Sequence, residues 1–228
     1  MQVYKARGCL GSVAGKARVS IRGVANKCKI VRYEFRSNAK LGEDSFRITD
    51  LSASPINLDY TISDYGGEIQ SVTGNNVGYG ATGGFVFVGG RAGHRLGIRN
   101  SGATIVAEAA GKYACEYMTR GRVLILGPIE NEVGSGMTGG ELFVFDPRNE
   151  VPAKLHTKSV TVIDCNYVDY EWMHPLIIQY HARTGSRQAE HVLKNWADIR
   201  RGRRLRKVLP LAVARAMEDF KTVGTNAG

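Results

Sequence analysis

The stretch GYGATGGFVFVGG at residues 78–90 has a close counterpart further along the chain, GSGMTGGELFVFD at residues 134–146. In both copies, glycines at the first, third, sixth and seventh positions precede a short run rich in β-branched and aromatic residues. Apolar runs of this length, bounded by glycine, are typical of strands and too short for helices. The repeat therefore predicts a β protein assembled from similar units.

Glycines that precede an apolar run recur at nearly constant intervals. Nineteen of the 28 glycines lie between residues 66 and 140, and five of them open such runs: Gly67, Gly84, Gly102, Gly121 and Gly140. At roughly 3.3 Å per extended residue, one interval spans about 60 Å, which is enough for a coil with several short sides. The spacing predicts an all-β, parallel β-solenoid with about 18 residues per coil.

Alignment on these glycines sorts each run onto two faces, both apolar. The second and fourth positions are predicted to face the interior, and they are Val86, Val88, Thr104, Val106, Val123, Ile125, Leu142 and Val144. The third positions are predicted to face the opposite side, and they are Phe87, Ile105, Leu124 and Phe143. Apolar residues on both faces are expected of parallel strands that are buried on both sides.

The chain divides into three predicted parts. Residues 1–65 have strand-like segments without the glycine turns and are predicted to form β coils or a cap, which an open solenoid end needs. Residues 66–165 form the glycine-repeat solenoid, with a last strand at residues 159–165. Residues 174–228 form a basic, helical tail that packs on the solenoid.

Local signals divide this tail into helices. Pro175 suits the first turn of a helix, Gly185 its end, and Ser186 the cap of the next one. Trp196 lies on the apolar stripe of that second helix and is expected to pack the tail onto the solenoid. A third helix is predicted over residues 210–220.

Positive charge is concentrated in the tail. The chain has a net charge of +10, and residues 181–228 contribute +7 of it, eleven Lys and Arg minus four Asp and Glu. Such a run can track phosphates, but this one has no interleaved aromatic residues and no base-reading module, so we favour docking on an acidic partner surface over nucleic acid. The predicted docking residues are Arg200, Arg201, Arg203, Arg204, Arg206 and Lys207.

The glycine pattern at residues 78–83 also matches G-x-G-x-x-G, a dinucleotide-binding fingerprint. That fingerprint requires a helix after the glycines, whereas a strand follows here. We therefore interpret it as a turn rule, in which glycine supplies positive φ or allows coils to stack closely. The predicted turn glycines are Gly67, Gly80, Gly83, Gly84, Gly102, Gly121, Gly136, Gly139 and Gly140.

An alternative hypothesis makes the chain an independent enzyme. Three hexapeptides would fill one coil, and hexapeptides are the repeat of left-handed β-helix acyltransferases, where a histidine at a coil junction acts as general base. His94 is the candidate, although the coils show no six-residue periodicity of aliphatic residues. No nucleophile with its base, paired carboxylates or metal-ligand spacing stands out, so no catalytic, cofactor-binding or metal residue is predicted.

Composition narrows the class of protein. With 228 residues, 43% hydrophobic and 23% charged, the chain is expected to fold into a globular protein. No run approaches the roughly 20 apolar residues of a membrane span, and the first ten residues do not form a secretion signal. The four cysteines form no C-x-x-C pair, which favours reduced thiols. We expect a cytoplasmic protein without a membrane partner.

Four blocks of sequence carry a family resemblance. The segments YGATGGFVFVGGRAG, RNSGATIVAEAAG, CEYMTRGRVLILG and GSGMTGGELFVFD follow one another in this order. They resemble the C-terminal glycine-repeat (GXGXG) domain of the glutamate synthase large subunit, and the tail segment HARTGSRQAEHVLKNW is similar to the helical end of that polypeptide. The resemblance covers about half of the chain. It implies a right-handed parallel β-helix without catalytic residues of its own.

In that family, the domain packs between a glutamine amidotransferase domain and an FMN-bearing synthase domain. The chain has nothing that corresponds to the cysteine nucleophile, the FMN barrel or the iron–sulfur cysteine loop, so FMN and the cluster are expected on partner chains. The resemblance implies a scaffold subunit for glutamate biosynthesis in nitrogen metabolism that docks an amidotransferase chain and an FMN synthase chain. Homo-oligomers are a second expectation. The competing hypotheses are an enzyme that uses His94 and a stand-alone binding module that uses the basic tail.

Overall fold

The computed structural model describes residues 17–23, 33–34, 58–64 and 73–225, and the burial of side chains over residues 73–219. The predicted turn glycine Gly67 and most of the predicted N-terminal part lie outside the described residues.

Within this described part, nine strands form one sheet. They are β1 (Ala17–Gly23), β2 (Tyr33–Glu34), β3 (Leu58–Asp64), β4 (Phe85–Ala92), β5 (Ser101–Ala110), β6 (Arg120–Ile125), β7 (Glu141–Phe145), β8 (Val160–Asp164) and β9 (Leu205–Pro210). Their order in the sheet is β2-β1-β3-β4-β5-β6-β7-β9-β8. Strands β3 to β7 pair in parallel, one strand per coil, and the strands at both ends pair antiparallel. The predicted β-solenoid is confirmed.

A stack of turn segments closes each coil on the side away from the sheet. We call residues 76–80, 95–99, 113–117 and 132–136 the turn ladder. Every second residue in each segment has positive φ: Asn76, Gly78 and Gly80, then Arg95, Gly97 and Arg99, then Tyr113, Cys115 and Tyr117, and finally Glu132, Gly134 and Gly136. In nine of these twelve residues, the backbone N–H donates to a carbonyl of a neighbouring coil, as from Gly80 to Ile98 at 3.0 Å and from Arg99 to Glu116 at 2.8 Å.

The other predicted turn glycines lie at the start of the strands. Gly84, Gly121 and Gly140 have positive φ. A Cβ atom on Gly102 or Gly139 would collide with a carbonyl oxygen of the preceding coil. Gly83 lies in the bend before β4. The glycine repeat thus marks both the turn ladder and the entry to each strand.

The predicted orientation of β5 is wrong by one residue. The sheet pairs Ile105 with Val86 and with Val123, so Ile105 faces the interior of the solenoid, where Thr104 and Val106 were expected. A register shift at the start of β5 is the reason, because it adds one residue to the strand. Alignment on glycine alone does not reveal such a bulge.

Both faces of the sheet are buried, as predicted. One hydrophobic cluster lies between the sheet and the turn ladder and includes Val86, Ile105 and Val123. The other lies between the sheet and the C-terminal helices and includes Phe87. There, the Tyr180 ring meets Phe87 edge-on at 5.6 Å between centroids, and its hydroxyl donates to the Val88 carbonyl at 2.6 Å. The helices are therefore an integral layer of the fold.

These helices are α1 (Tyr167–Thr184), α2 (Arg187–Lys194), α3 (Trp196–Arg201) and α4 (Leu211–Thr225). The predicted first helix begins too late, because Asn166 and Asp169 form a capping box that starts α1 and leaves Pro175 inside it. Gly185, in the left-handed conformation, ends α1, and Ser186 caps α2 as predicted. None of the helices in the described part of the chain is long and apolar enough to cross a membrane.

Trp196 and β8 also differ in part from the prediction. Trp196 begins α3 rather than continuing α2, and it packs against Tyr170 and His174 of α1 and against the hydrophobic cluster between the sheet and the helices. Strand β8 is present, but it lies at the edge of the sheet, antiparallel to β9, and does not continue the parallel coils.

Candidate functional site

The second half of the basic run is a strand rather than an exposed tail. Residues 205–210 form β9, which lies between β7 and β8 and pairs with both. Lys207 is only 5% exposed, and its Nζ lies 2.5 Å from Glu141 Oε1 and 2.9 Å from Asp169 Oδ1. The fold itself uses this ammonium group, which removes Lys207 from the predicted docking set.

Lys207, Glu141, Asp169 and Arg122 form one charge network, to which Arg122 contributes a 2.7 Å bond to the second oxygen of Glu141. Burial alone would raise the pKa of Glu141, but hydrogen bonds and charge from Lys207 and Arg122 outweigh burial and hold that pKa below its usual 4.5. Burial would lower the pKa of Lys207, yet Glu141 and Asp169 raise it above its usual 10.5. The network ties β6, β7 and β9 to α1.

Most of the remaining arginines of the run are also paired. The pairs are Arg200–Glu171 at 3.7 Å, Arg201–Asp198 at 3.5 Å, Arg203–Asp164 at 3.0 Å and Arg206–Asp164 at 2.5 Å. Arg204 is exposed and has no ion pair among the described residues. The run therefore offers a partner less unpaired charge than its composition indicates.

A second surface, which the sequence did not predict, lies on the turn ladder. We define the Tyr–Arg face as Tyr79, Arg95, Arg99, Tyr113 and Tyr117. The Arg95 guanidinium carbon lies 5.5 Å from the centroid of the Tyr113 ring, and that of Arg99 lies 6.0 Å from the Tyr117 ring. Tyr79 and Tyr117 are 41% and 52% exposed. All of these residues except Tyr79 have positive φ in the turn ladder. They therefore recur from coil to coil at the same interval as the glycines.

A pocket of about 300 Å³ lies at the carboxyl ends of β6 and β7. Its lining includes Ile129, Phe145 and Asp146. The two carboxylate oxygens of Asp146 accept backbone N–H bonds from Glu150 at 2.7 Å and Val151 at 3.0 Å. Asp146 therefore holds the loop that follows β7 through one backbone hydrogen bond to each carboxylate oxygen.

Two features singled out in the sequence, His94 and the G-x-G-x-x-G stretch, lie on the solenoid. His94 Nδ1 accepts the backbone N–H of Lys112 at 3.0 Å, which links two neighbouring coils. The G-x-G-x-x-G stretch at residues 78–83 leads into strand β4, so the helix that a dinucleotide fingerprint requires does not follow it. Over the described ranges, no three His, Cys, Asp or Glu side chains are grouped closely enough to hold a metal ion.

Glu108 is a buried carboxyl group under the junction of α1 and α2. It is 7% exposed, and the Ser186 hydroxyl donates a hydrogen bond to its Oε1. Burial raises the pKa of Glu108, and the bond from Ser186 offsets only part of that effect. An acid whose pKa is higher in the folded chain than in the unfolded chain lowers stability as the pH rises through that range.

We therefore expect the Glu108→Gln variant to melt at a higher temperature than the parent near neutral pH. Glutamine keeps an acceptor for Ser186 and carries no charge that must be desolvated or protonated. The difference should shrink at about pH 4, where the unfolded chain also holds the proton. Thermal melts of Glu108→Gln and of the exposed control Glu132→Gln at both pH values test this. A lower melting temperature for Glu108→Gln at neutral pH would contradict it.

Comparison with known proteins agrees with this architecture. A family model described as GXGXG motif matches residues 57–211. Ferredoxin-dependent glutamate synthase 2 of Synechocystis sp. (strain ATCC 27184 / PCC 6803 / Kazusa) is 39% identical over 133 residues, 58% of this chain and 8% of that protein. Glutamate synthase [NADH] of Schizosaccharomyces pombe is 36% identical over 150 residues, 65% of this chain and 7% of that protein.

A chloroplastic ferredoxin-dependent glutamate synthase of Spinacia oleracea is 38% identical over 130 residues, 57% of this chain and 8% of that protein. The matched segment thus spans less than a tenth of the length of these relatives. The family match covers more than half of the chain, including the parallel strands, the turn ladder and β9. The chain therefore belongs to the GXGXG motif family and is related to the GXGXG region of glutamate synthases.

Proposed function

We propose that the chain is a non-catalytic scaffold of a glutamate synthase-like assembly in nitrogen metabolism. It would dock a glutamine amidotransferase chain and an FMN-binding synthase chain, and those partners would carry the FMN and the iron–sulfur cluster. The observation that carries this proposal is the family match over residues 57–211, together with identities of 36% to 39% to the glutamate synthases. In this proposal, the catalytic parts correspond to the remainder of those proteins.

The fold supports a positioning role. Hydrogen bonds join each coil to the next on two sides, through the sheet and through the turn ladder. Hydrophobic clusters fill both faces of the sheet, and the helices are fixed to its outer face. A solenoid built in this way presents long, fixed surfaces to its neighbours. Such surfaces can hold two enzymes at a constant separation.

Reconstitution tests the proposal. The chain is expressed together with an amidotransferase chain and a flavin-bearing synthase chain of the same genome, and the mixture is separated by size. We expect one species that contains all three chains, absorbs as a flavoprotein and, when a chemical reductant such as dithionite supplies two electrons per turnover, converts glutamine and 2-oxoglutarate into two glutamates. We expect this species to be lost without the scaffold. Equal assembly and equal turnover of the two enzymes alone would overturn the proposal.

We also propose that the exposed arginines of the basic run guide this docking. Arg204, which lacks an ion pair within the described residues, should contribute most. Arg204→Gln is expected to slow association with the partner chains several-fold at low salt and to have no effect at about 0.5 M salt, because salt screens exposed charges. Lys158→Gln, another exposed cation, is the matched control. An unchanged association rate at low salt would count against a role for Arg204.

A further inference from the structure

We propose that the Tyr–Arg face binds a partner protein and that this partner presents a carboxylate to Arg99. The inference rests on the proposed scaffold role and deepens it, because it names the surface that meets a partner. It does not depend on which protein that partner is.

The first argument concerns the backbone conformation of the turn ladder. Arg99 and Tyr117 have φ values of 53° each, a left-handed conformation that costs residues other than glycine free energy. The equivalent positions in the first and fourth coils are Gly80 and Gly136, so the ladder forms without a side chain there. The second and third coils nevertheless carry large and exposed side chains at this position. Strain that the fold does not need points to a function for those side chains.

The second argument is the arrangement of positions 80, 99, 117 and 136, which form one row along the turn ladder. Backbone hydrogen bonds stack Gly80, Arg99, Tyr117 and Gly136 on successive coils, about 4.8 Å apart. The Tyr117 ring lies over Gly136, where a Cβ atom would approach within 2.5 Å of it. A Cβ atom on Gly80 would meet nothing within 4 Å, so the row is open on that side of Arg99. A partner side chain can occupy this space and reach the guanidinium of Arg99.

The third argument is the charge of the face. Arg95 donates to the Glu116 carboxylate at 2.7 Å, so its charge is balanced within the chain. Over the residues that the structure describes, Arg99 has no carboxylate partner. An exposed guanidinium next to an exposed tyrosine combines two of the residue types that dominate protein interfaces. A carboxylate is the group that pairs best with its fork of donors.

These contacts favour a protein over a nucleic acid. Single-stranded nucleic acids bind to exposed aromatic rings, on which their bases stack. Here Arg95 lies over Tyr113 and Arg99 lies over Tyr117, so each guanidinium covers one face of a ring. The tyrosines therefore offer their edges and hydroxyl groups rather than two free faces.

Site-specific photo-cross-linking tests the inference with the full chain in cells that express the assembly. The Tyr117→p-benzoylphenylalanine variant is expected to cross-link to one protein, at a segment that contains Asp or Glu, as identified by mass spectrometry. Arg99→Glu should reduce this cross-link at least about tenfold. Exchange of the identified carboxylate for Lys should restore it. The control is Ile178→p-benzoylphenylalanine, because Ile178 is 48% exposed on α1, outside the face.

A second measurement separates binding from folding. Because glycine relieves left-handed strain, Arg99→Gly and Tyr117→Gly should keep or raise the melting temperature and still weaken partner binding at least about tenfold. Glu132→Gly relieves the same strain outside the face, with φ 64°, and should leave binding unchanged. A lower melting temperature with unchanged binding would show that the side chains only support the fold, and would overturn the inference.

The outcomes also distinguish the two proposals. A carboxylate-dependent cross-link to the amidotransferase or flavin chain supports both. The same cross-link to a different protein supports the Tyr–Arg face and overturns the proposed assembly. A cross-link to nucleic acid, equal cross-links from positions 117 and 178, or no cross-link from position 117 would overturn the role of the face and leave the scaffold standing. Failure of the reconstitution would overturn the scaffold.

Discussion

The Gly140→Val variant is expected to lose more than about 3 kcal/mol of unfolding free energy. Gly140 opens β7 with a φ of 82°, which a β-branched residue strongly disfavours. Its Cβ atom would also lie 2.5 Å from Met118 Cε and 2.9 Å from the Gly121 carbonyl oxygen. Met118 is fully buried and the carbonyl belongs to the preceding coil, so neither can move away without disturbing the stack. Urea denaturation followed by circular dichroism measures the loss.

Gly80→Val is the matched control for this experiment. Gly80 has a φ of 60°, but a Cβ atom there would meet nothing within 4 Å. The control therefore carries the conformational cost alone, about 1 to 2 kcal/mol. If both variants lost the same free energy, the close approach of the coils at Gly140 would not contribute, and our account of the strand entry would be incorrect.

Lys207→Met should have a comparable effect through charge rather than packing. Methionine preserves the apolar stem of Lys207 but removes the ammonium group, whose Nζ lies 5.3 Å from the Phe143 ring centroid. This leaves Asp169 without its cation and Glu141 with Arg122 alone. Removal of one member of a buried ionic network costs about 3 to 5 kcal/mol, because the remaining charges stay buried. Chemical denaturation at neutral pH measures this loss.

The loss should depend on pH in a defined direction. The pKa of Glu141 is lowered by folding, so its contribution is present above 4.5 and disappears as the pH falls through its folded pKa. The pKa of Lys207 is raised, so its contribution is present below 10.5 and disappears as the pH rises through its folded pKa. The difference between the variant and the parent should therefore be largest between these limits and smaller at about pH 3.

Lys194→Met is the surface control for the network. Lys194 pairs with Glu190 at 2.6 Å on the exposed side of α2. Because water and salt screen such a pair, its loss should not change stability measurably. Equal destabilisation by Lys194→Met and Lys207→Met would show that burial does not determine the strength of the network around Lys207.

The solenoid was predictable because its signal is local and repeated. A glycine before each apolar run, at a nearly constant interval, indicates a stack of short strands, and apolar residues at successive positions indicate that both faces are buried. The register of β5 was not predictable in this way. Gly102 is needed for close contact with the preceding coil, but the bulge separates it by one further residue from the interior side chains.

In the C-terminal part, local sequence signals were not sufficient to predict the start of α1 or the partners of Lys207. The capping box at Asn166 and Asp169 is readable in sequence, yet Pro175 indicated a later start for the helix. Nothing near Lys207 in the sequence shows that Glu141 and Asp169, both distant along the chain, surround it in the fold. When such distant partners are unknown, a dense run of basic residues is interpreted as a solvated surface, and this is why Lys207 was included among the docking residues.

The Tyr–Arg face was missed for a different reason. Glycines defined the repeat, and in the second and third coils the positions at issue hold Arg99 and Tyr117 instead. Their period is nevertheless the same, since each lies on the row that begins at Gly80 and ends at Gly136. Comparison of coil with coil, rather than of glycine with glycine, would have singled out these positions.

The place of β9 in the sheet has a consequence for the order of folding. Parallel coils can form one after another as the chain leaves the ribosome, but β7 keeps an open edge until residues 205–210 have been synthesised. When β9 arrives, its antiparallel direction ends the parallel series, so a further coil cannot be added in register. This late strand acts as a terminator that fixes the length of the solenoid and protects newly made chains from joining through β7.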